Sequence, residues 1–170
     1  MNWTVPEEIA KLLNQAVQAP LVPRAERERL PVLDREGVQG IVPYRDPFLL
    51  VDCVTWLDLE RGMAATRYDL SRSAALFAGH FPRYPVWPGV LQTEGIGQTG
   101  GIVYVMQTGS FDRPSYALTH ILAARFLRPV TPPGNVEYIA QVLDEGLLVH
   151  VVGQCLQNDS ICSVAAVTFL

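Results

Sequence analysis

The sequence predicts an α+β domain in which an antiparallel sheet of about six strands wraps around one long central helix. Three observations predict it. Two β-rich segments, 48–59 and 62–70, precede a single long helical stretch that opens near Pro88. Four more strand-like segments follow, at 115–127, 135–143, 147–156 and 161–170. Asp144-Glu145-Gly146 and Asn158-Asp159-Ser160 mark the turns between the last three, and strands joined by such short turns run antiparallel.

Each element has its own warrant. Ile9, Leu12, Leu13, Ala16 and Val17 recur at i, i+3, i+4, i+7 and i+8, which draws one apolar stripe on a helix over residues 4–18. Thr4 and Glu7 stand at capping-box spacing at its start, and Pro20 and Pro23 end it. The stripe suits a helix that covers an apolar patch on its own domain. Arg24 to about Gln39 reads as a polar connector. FLLVDCVTWLDL is apolar and rich in β-formers, and GMAATRYDL alternates as a half-buried strand would.

The central helix carries an apparent contradiction. Within AGHFPRYPVWPGVLQTEGIGQTGG, residues 78–101, lie Gly95, Gly97, Gly100 and Gly101, and each interior glycine costs a helix about 1 kcal/mol relative to alanine. A helix enclosed by a sheet is stabilised by packing, and glycines let strand backbones approach it closely. The glycines are expected to pack the helix rather than to do chemistry.

Composition narrows the function. The chain has 170 residues, enough for one domain with a real core, with 49% hydrophobic and 18% charged residues. A formal charge of -4, with no basic run interleaved with aromatics, argues against nucleic acid as a partner. Cys53, Cys155 and Cys162 are odd in number and form no CxxC pair, which suits reduced thiols of a cytoplasmic protein. His80, His120 and His150 lack ligand spacing, so no metal is expected. No nucleophile elbow, phosphate-binding loop or dinucleotide fingerprint occurs. Glu7 and Glu8 stand where a secretory signal has basic residues, and no apolar run approaches membrane-spanning length; no membrane association is expected.

The chemistry concentrates in residues 79–98. Pro85 and Pro88 stiffen the approach to the helix, and the amides of Gly89 and Val90 at its positive end can hold a developing oxyanion. Glu94 is the single acid of an otherwise uncharged helical segment, and Gln98 stands one turn further on the same face to orient it. His80 supplies an imidazole, a side chain suited to act as a general base. Together these give a base, an oxyanion site and an acid within one short segment.

At this point GHFPRYPVWPGVLQTEGIGQTGG resembles the signature of the β-hydroxyacyl-acyl-carrier-protein dehydratases of the hot-dog fold, which runs roughly GHFPGxPxMPGVLxxEAxAQxxG. VPYRDPFLLVD, 42–52, is similar to the family's IPHRYPFLLVD, and ARFLRPV, 124–130, to its ARFKRPV. The resemblance covers about residues 38–170, leaving 1–37 as an N-terminal extension with its amphipathic helix. It implies His80 and Glu94 as the catalytic pair and Gly89 with Val90 as the thioester-carbonyl site. It implies a hydroxyacyl group carried by acyl carrier protein, no cofactor, and reversible loss of water from a (3R)-hydroxyacyl thioester to give the trans-2-enoyl product. Double-bond isomerisation would use the same proton-moving groups. The implied assembly is a homodimer whose histidine and acid come from different subunits, with room for dimers to assemble further.

Several positions depart from the pattern. Tyr44 replaces the histidine of PHR, Arg83 the glycine of GHFPG, and Gly95 and Gly97 the alanines of EAxAQ. Trp87 stands where Met or Phe is usual, and Leu122-Ala123 replaces an acidic pair. Tyr44, Phe81 and Trp87 are candidates to line the substrate path, and Arg83 to contact the phosphopantetheine phosphate or an acidic carrier protein. These departures point to a specialised dehydratase. Two alternatives stand beside this reading: a hot-dog acyl thioesterase, since fold does not fix function, and a non-catalytic acyl-binding module.

Overall fold

A computed structural model describes residues 5–28, 30–109, 117–144 and 146–170. Three helices come first, α1 (Glu7–Gln18), α2 (Arg24–Arg27) and α3 (Arg35–Ile41). Strands β1 (Cys53–Asp58) and β2 (Met63–Asp69) follow, then the short α4 (Ala74–Gly79) and the long α5 (Gly89–Thr108). The chain closes with β3 (Leu118–Phe126), β4 (Asn135–Asp144), β5 (Val149–Gln157) and β6 (Ser160–Phe169). All neighbouring strands are antiparallel, in the order β1-β2-β4-β5-β6-β3. This is the α+β, hot-dog architecture the sequence predicts.

The β5–β6 turn shows how local chemistry sets the register. Asn158 and Asp159 take φ of 50° and 63°, the left-handed pair of a two-residue hairpin, and Gln157 then faces Ser160. The other foreseen turn lies partly outside the described residues at Glu145; Gly146 within it has φ of 82°.

Helix α5 lies on one face of the sheet, and from Gln92 to Tyr104 every residue except Glu94 is buried. Its Ile96, Ile102 and Val103 pack with Ala64, Tyr138, Ala140, Val151 and Val167 from the strands. Two glycines make that approach close. A Cβ on Gly95 would lie 2.2 Å from Tyr138 Cζ, and one on Gly100 would lie 2.4 Å from Val151 Cγ2. The glycines do pack the helix, but what fills their space is strand side chains, where the sequence suggests strand backbone.

The opposite face of the sheet is also covered. Leu13, Ala16 and Val17 of α1 pack with Met63, Ala65, Ile139 and Val164, and Ile9 with Val152 and Ala166. Strand β2 is therefore buried on both faces through Met63–Thr66, where the alternation of GMAATRYDL suggests one dry face. Buried Gln154 ties the helix down, donating to the Ala16 and Ala19 carbonyls and accepting from the Leu21 amide. Helix α1 starts at Glu7 behind Pro6, and the Thr4 of the expected capping box lies outside the described residues.

The connector is more structured than its polarity suggests. It holds α2 and most of α3, whose Asp34 caps the helix by accepting from the Gly37 amide at 2.9 Å. Arg27 of α2 is fully buried between Glu137 and Asp159, so a residue that reads as surface charge is an internal clamp.

Candidate active site

Helix α4 stops at Gly79, and the chain folds into a tight turn in which the Phe81 and Tyr84 main chains bond each other. Val86 N–H then donates to the His80 carbonyl at 2.9 Å, bringing the chain back past the histidine. The His80 ring is fixed from two sides. Its Nδ1 lies 2.8 Å from the Val86 carbonyl oxygen, which can only accept, so Nδ1 carries the proton. That leaves Nε2 with a free lone pair to act as a base. Phe81 stacks on the ring with centroids 4.2 Å apart and is itself half exposed.

Directly after Val86, Trp87 N–H donates to the Val130 carbonyl at 2.7 Å, and Pro88 caps α5. The amides of Leu91 and Gln92 turn back to the Pro88 carbonyl. Gly89 and Val90 precede them, so their N–H groups have no carbonyl behind them in the helix. They share a cavity of about 470 Å³ with His80, Val86, Gln92 and Phe126. Val90 is 72% exposed, and the ring of Phe126 lies against Gly89, where an added Cβ would come within 2.7 Å of it.

Glu94 sits one and a half turns into α5, half-buried. Burial pushes its carboxyl above the ordinary glutamate range, and a hydrogen bond from Gln98 partly opposes that shift. Gln98 Nε2 lies 2.9 Å from Glu94 Oε1 and 2.8 Å from the Phe48 carbonyl, while its Oε1 accepts from Leu50 N–H at 2.8 Å. The foreseen orienting residue thus ties the carboxylate and the 48–50 segment to one buried amide. Tyr44 packs its ring toward Phe48, with centroids 6.2 Å apart. Burial, with the Glu94 charge second, pushes its phenol up to about 12, so it stays a hydrogen-bond donor. Glu94 lines a second cavity of about 270 Å³ with Phe48, Val90, Leu118, Ile121 and Phe169.

The remaining candidates divide. The Trp87 side chain is wholly buried among Tyr68, Phe77 and Tyr138, its Nε1 3.3 Å from the Tyr138 hydroxyl. It forms the floor beneath the His80 cavity. Arg83 is exposed in the 81–84 turn. Within one chain His80 and the helix amides share a cavity, whereas Glu94 faces a different one, with Val90 between them. Leu118, Ile121 and Phe126 are exposed on β3, which is an edge strand. Sequence reasoning missed Phe126 and Gln92. Phe126 lies within ARFLRPV, and Gln92 stands three residues past Gly89, a spacing that places it near the helix-start amides. Among the described residues no group of three or more His, Cys, Asp or Glu side chains could hold a metal, and the three cysteines are free. No helix among them is long and apolar enough to cross a membrane.

Comparison with known proteins adds independent findings. A family model described as a FabA-like domain matches residues 42–163. Similar curated proteins include a 3-hydroxyacyl-[acyl-carrier-protein] dehydratase FabZ from Nitratiruptor, 38% identical over 66% of this chain and 78% of its own. The FabZ of Campylobacter hominis is 33% identical over 79% and 94%, and that of Helicobacter pylori strain G27 36% over 73% and 80%. Among solved structures, a sigma28-regulated virulence protein of Campylobacter jejuni superposes with a TM-score of 0.59 at 9% identity, over 81% of this chain and 89% of its own. A mutant thioesterase from Pseudomonas aeruginosa gives 0.57 at 16%, over 85% and 96%. At such identities these two structures report the fold alone.

Proposed function

The chain belongs to the FabA-like dehydratase family, and from that premise we propose how this hydro-lyase removes water from a (3R)-hydroxyacyl thioester on acyl carrier protein to give the trans-2-enoyl thioester. The observation that carries the residue assignment is the shared cavity of His80, Gly89 and Val90, with the Nδ1 proton of His80 committed to Val86. The thioester carbonyl accepts from the Gly89 and Val90 amides, which stabilise the enolate-like oxygen as charge develops. His80 Nε2 takes the proton from the carbon next to the carbonyl. The electrons of that C–H bond form the double bond as the bond to the β-oxygen breaks. Glu94, whose burial favours the protonated form, gives its proton to the departing hydroxyl, which leaves as water. Double-bond isomerisation would use the same two groups.

The separation of His80 and Glu94 into two cavities supports a homodimer in which each site takes histidine from one subunit and acid from the other. The exposed apolar edge β3 suits such a joint, because pairing hides both its backbone groups and Leu118, Ile121 and Phe126. Residues 38–170 form the catalytic domain, and 1–37 an extension that covers the back of the sheet, joined within α3. Three unpaired thiols suit work in the cytoplasm. Arg83 is assigned to the carrier's phosphate and Tyr44 to the substrate path beside Glu94.

Mass spectrometry of a hydroxyacyl carrier protein tests the reading. The wild type removes about 18 mass units, whereas His80→Ala and Glu94→Gln leave the substrate intact. Release of free thiol without an enoyl product would replace it with thioester hydrolysis.

A further inference from the structure

Gln92 lines the His80 cavity, and the dehydration steps leave it without a role. It lies one turn inside α5 and is 3% exposed. Its Nε2 donates to the Trp87 carbonyl at 3.2 Å, which fixes the amide's orientation, because the opposite flip would set two oxygens against each other. Its Oε1 is thus an acceptor, and it is enclosed with no hydrogen-bond partner in the protein. Such an orphan usually costs about 1–3 kcal/mol. The fold uses only the Nε2 end of this side chain, in its bond to Trp87, and makes no use of the oxygen.

We propose that Gln92 is a positioning residue for the carrier arm, its Oε1 accepting a hydrogen bond from the phosphopantetheine amide N–H nearest the thioester sulfur. The inference rests on the dehydratase reading. Spacing supports it: Gln92 lies three residues past Gly89, about 4.5 Å along the helix axis. The amide nitrogen is separated from the thioester carbonyl by a sulfur and two methylenes, a reach of about 5 Å at ordinary bond lengths. Chemistry supports it as well. The substrate hydroxyl is assigned to Glu94 in the other cavity, so the arm's N–H is the donor near the reacting end that still lacks an acceptor. A secondary amide entering a largely apolar cleft loses its water and needs one. Phe126, 55% exposed with its ring against Gly89, is the part of the wall that turns aside to admit the arm.

Two small thioesters of the same 3-hydroxyacyl group test this, one on N-acetylcysteamine and one on O-acetyl-2-mercaptoethanol, which has an ester oxygen in place of the N–H. The wild type should turn over the amide with a kcat/KM about tenfold above the ester, the difference lying in KM. Gln92→Met should lower kcat/KM for the amide about tenfold and prefer neither thioester. Equal kcat/KM for the two with wild type overturns the inference and leaves the dehydratase reading standing. So does a Gln92→Met enzyme that keeps the preference. A wild type that dehydrates neither overturns both. If Gln92→Met does not fold, the wild-type comparison decides on its own.

Discussion

Two inactive variants, combined in one dimer, test whether His80 and Glu94 work across subunits. In a single protomer the two side chains line separate cavities of about 470 and 270 Å³ that meet at Val90. On the proposed assignment a His80→Ala homodimer would lack its base at both sites and a Glu94→Gln homodimer its acid at both, and each should lose at least about a hundredfold in kcat. A dimer built from one chain of each kind differs. One of its sites joins the intact histidine of one chain to the intact glutamate of the other, while its second site joins the two altered residues. Symmetry therefore predicts about half the wild-type activity per dimer. Co-expression with two affinity tags and sequential purification isolates the mixed dimer, and enoyl formation on the carrier protein is followed by mass spectrometry. A mixed dimer as inactive as either parent would refute the shared site.

Further outcomes follow from packing and charge. Gly95→Ala places a Cβ 2.2 Å from Tyr138 Cζ, against an ordinary contact of about 3.5–4 Å, and Tyr138 is fully buried, with its hydroxyl 3.3 Å from Trp87 Nε1. Overpacking should outweigh the helix gain and lower Tm by about 2–6 °C in a calorimetric scan, while Gly40→Ala, with open space around it, should raise Tm slightly. Burial raises the Glu94 pKa, so the native state holds that proton more tightly than the unfolded chain. Its stabilising effect is full below about pH 4.3 and is lost as pH rises through the native value. Glu94→Gln removes that loss and keeps an acceptor for Gln98, so Tm should match wild type near pH 4 and exceed it at pH 8. Arg27→Met leaves Glu137 buried without its cation and should cost about 3 kcal/mol in urea unfolding, far above a surface arginine.

The strands and the long helix are legible because their signals are local. β4, β5 and β6 are marked by apolar runs and by turns such as Asn158-Asp159, which needs no tertiary help to reverse the chain. Helices α2 and α3 are not legible. RAER and REGVQGI are short and carry no usable apolar period; Arg27 ties the first to Glu137 and Asp159 and Arg35 ties the second to Asp46 and Asp52, partners that a one-dimensional reading cannot bring near. The double burial of β2 fails for the same reason, since α1 arrives from more than 40 positions upstream of Met63 to cover its second face. At the site, Gln98 is legible because four residues make one helical turn, and the bond to Glu94 follows. Phe126 comes from a strand far along the chain, and its contact with Gly89 exists only once β3 has paired with β6.

The glycines and the lone acid of α5 have a single physical cause. A carboxyl keeps its proton near neutral pH only where water is scarce, and a helix can carry it there only if most of its circumference is dry. Gly95 and Gly100 bring α5 hard against Tyr138 and Val151, which dries the helix but leaves little space for side chains on that face. The acid must therefore project from the flank of the helix toward the β3–β6 edge of the sheet, where Val90 and Glu94 lie and where a single chain leaves an apolar cavity open. Gln98 opposes part of the upward shift that burial imposes on the carboxyl. Its amide lowers the cost of the charged form and, through Phe48 and Leu50, holds the loop that closes the cavity's rim. A helix with ordinary propensity would leave Glu94 in water with a carboxylate's usual pKa. It would then be a poor proton donor to a departing hydroxyl.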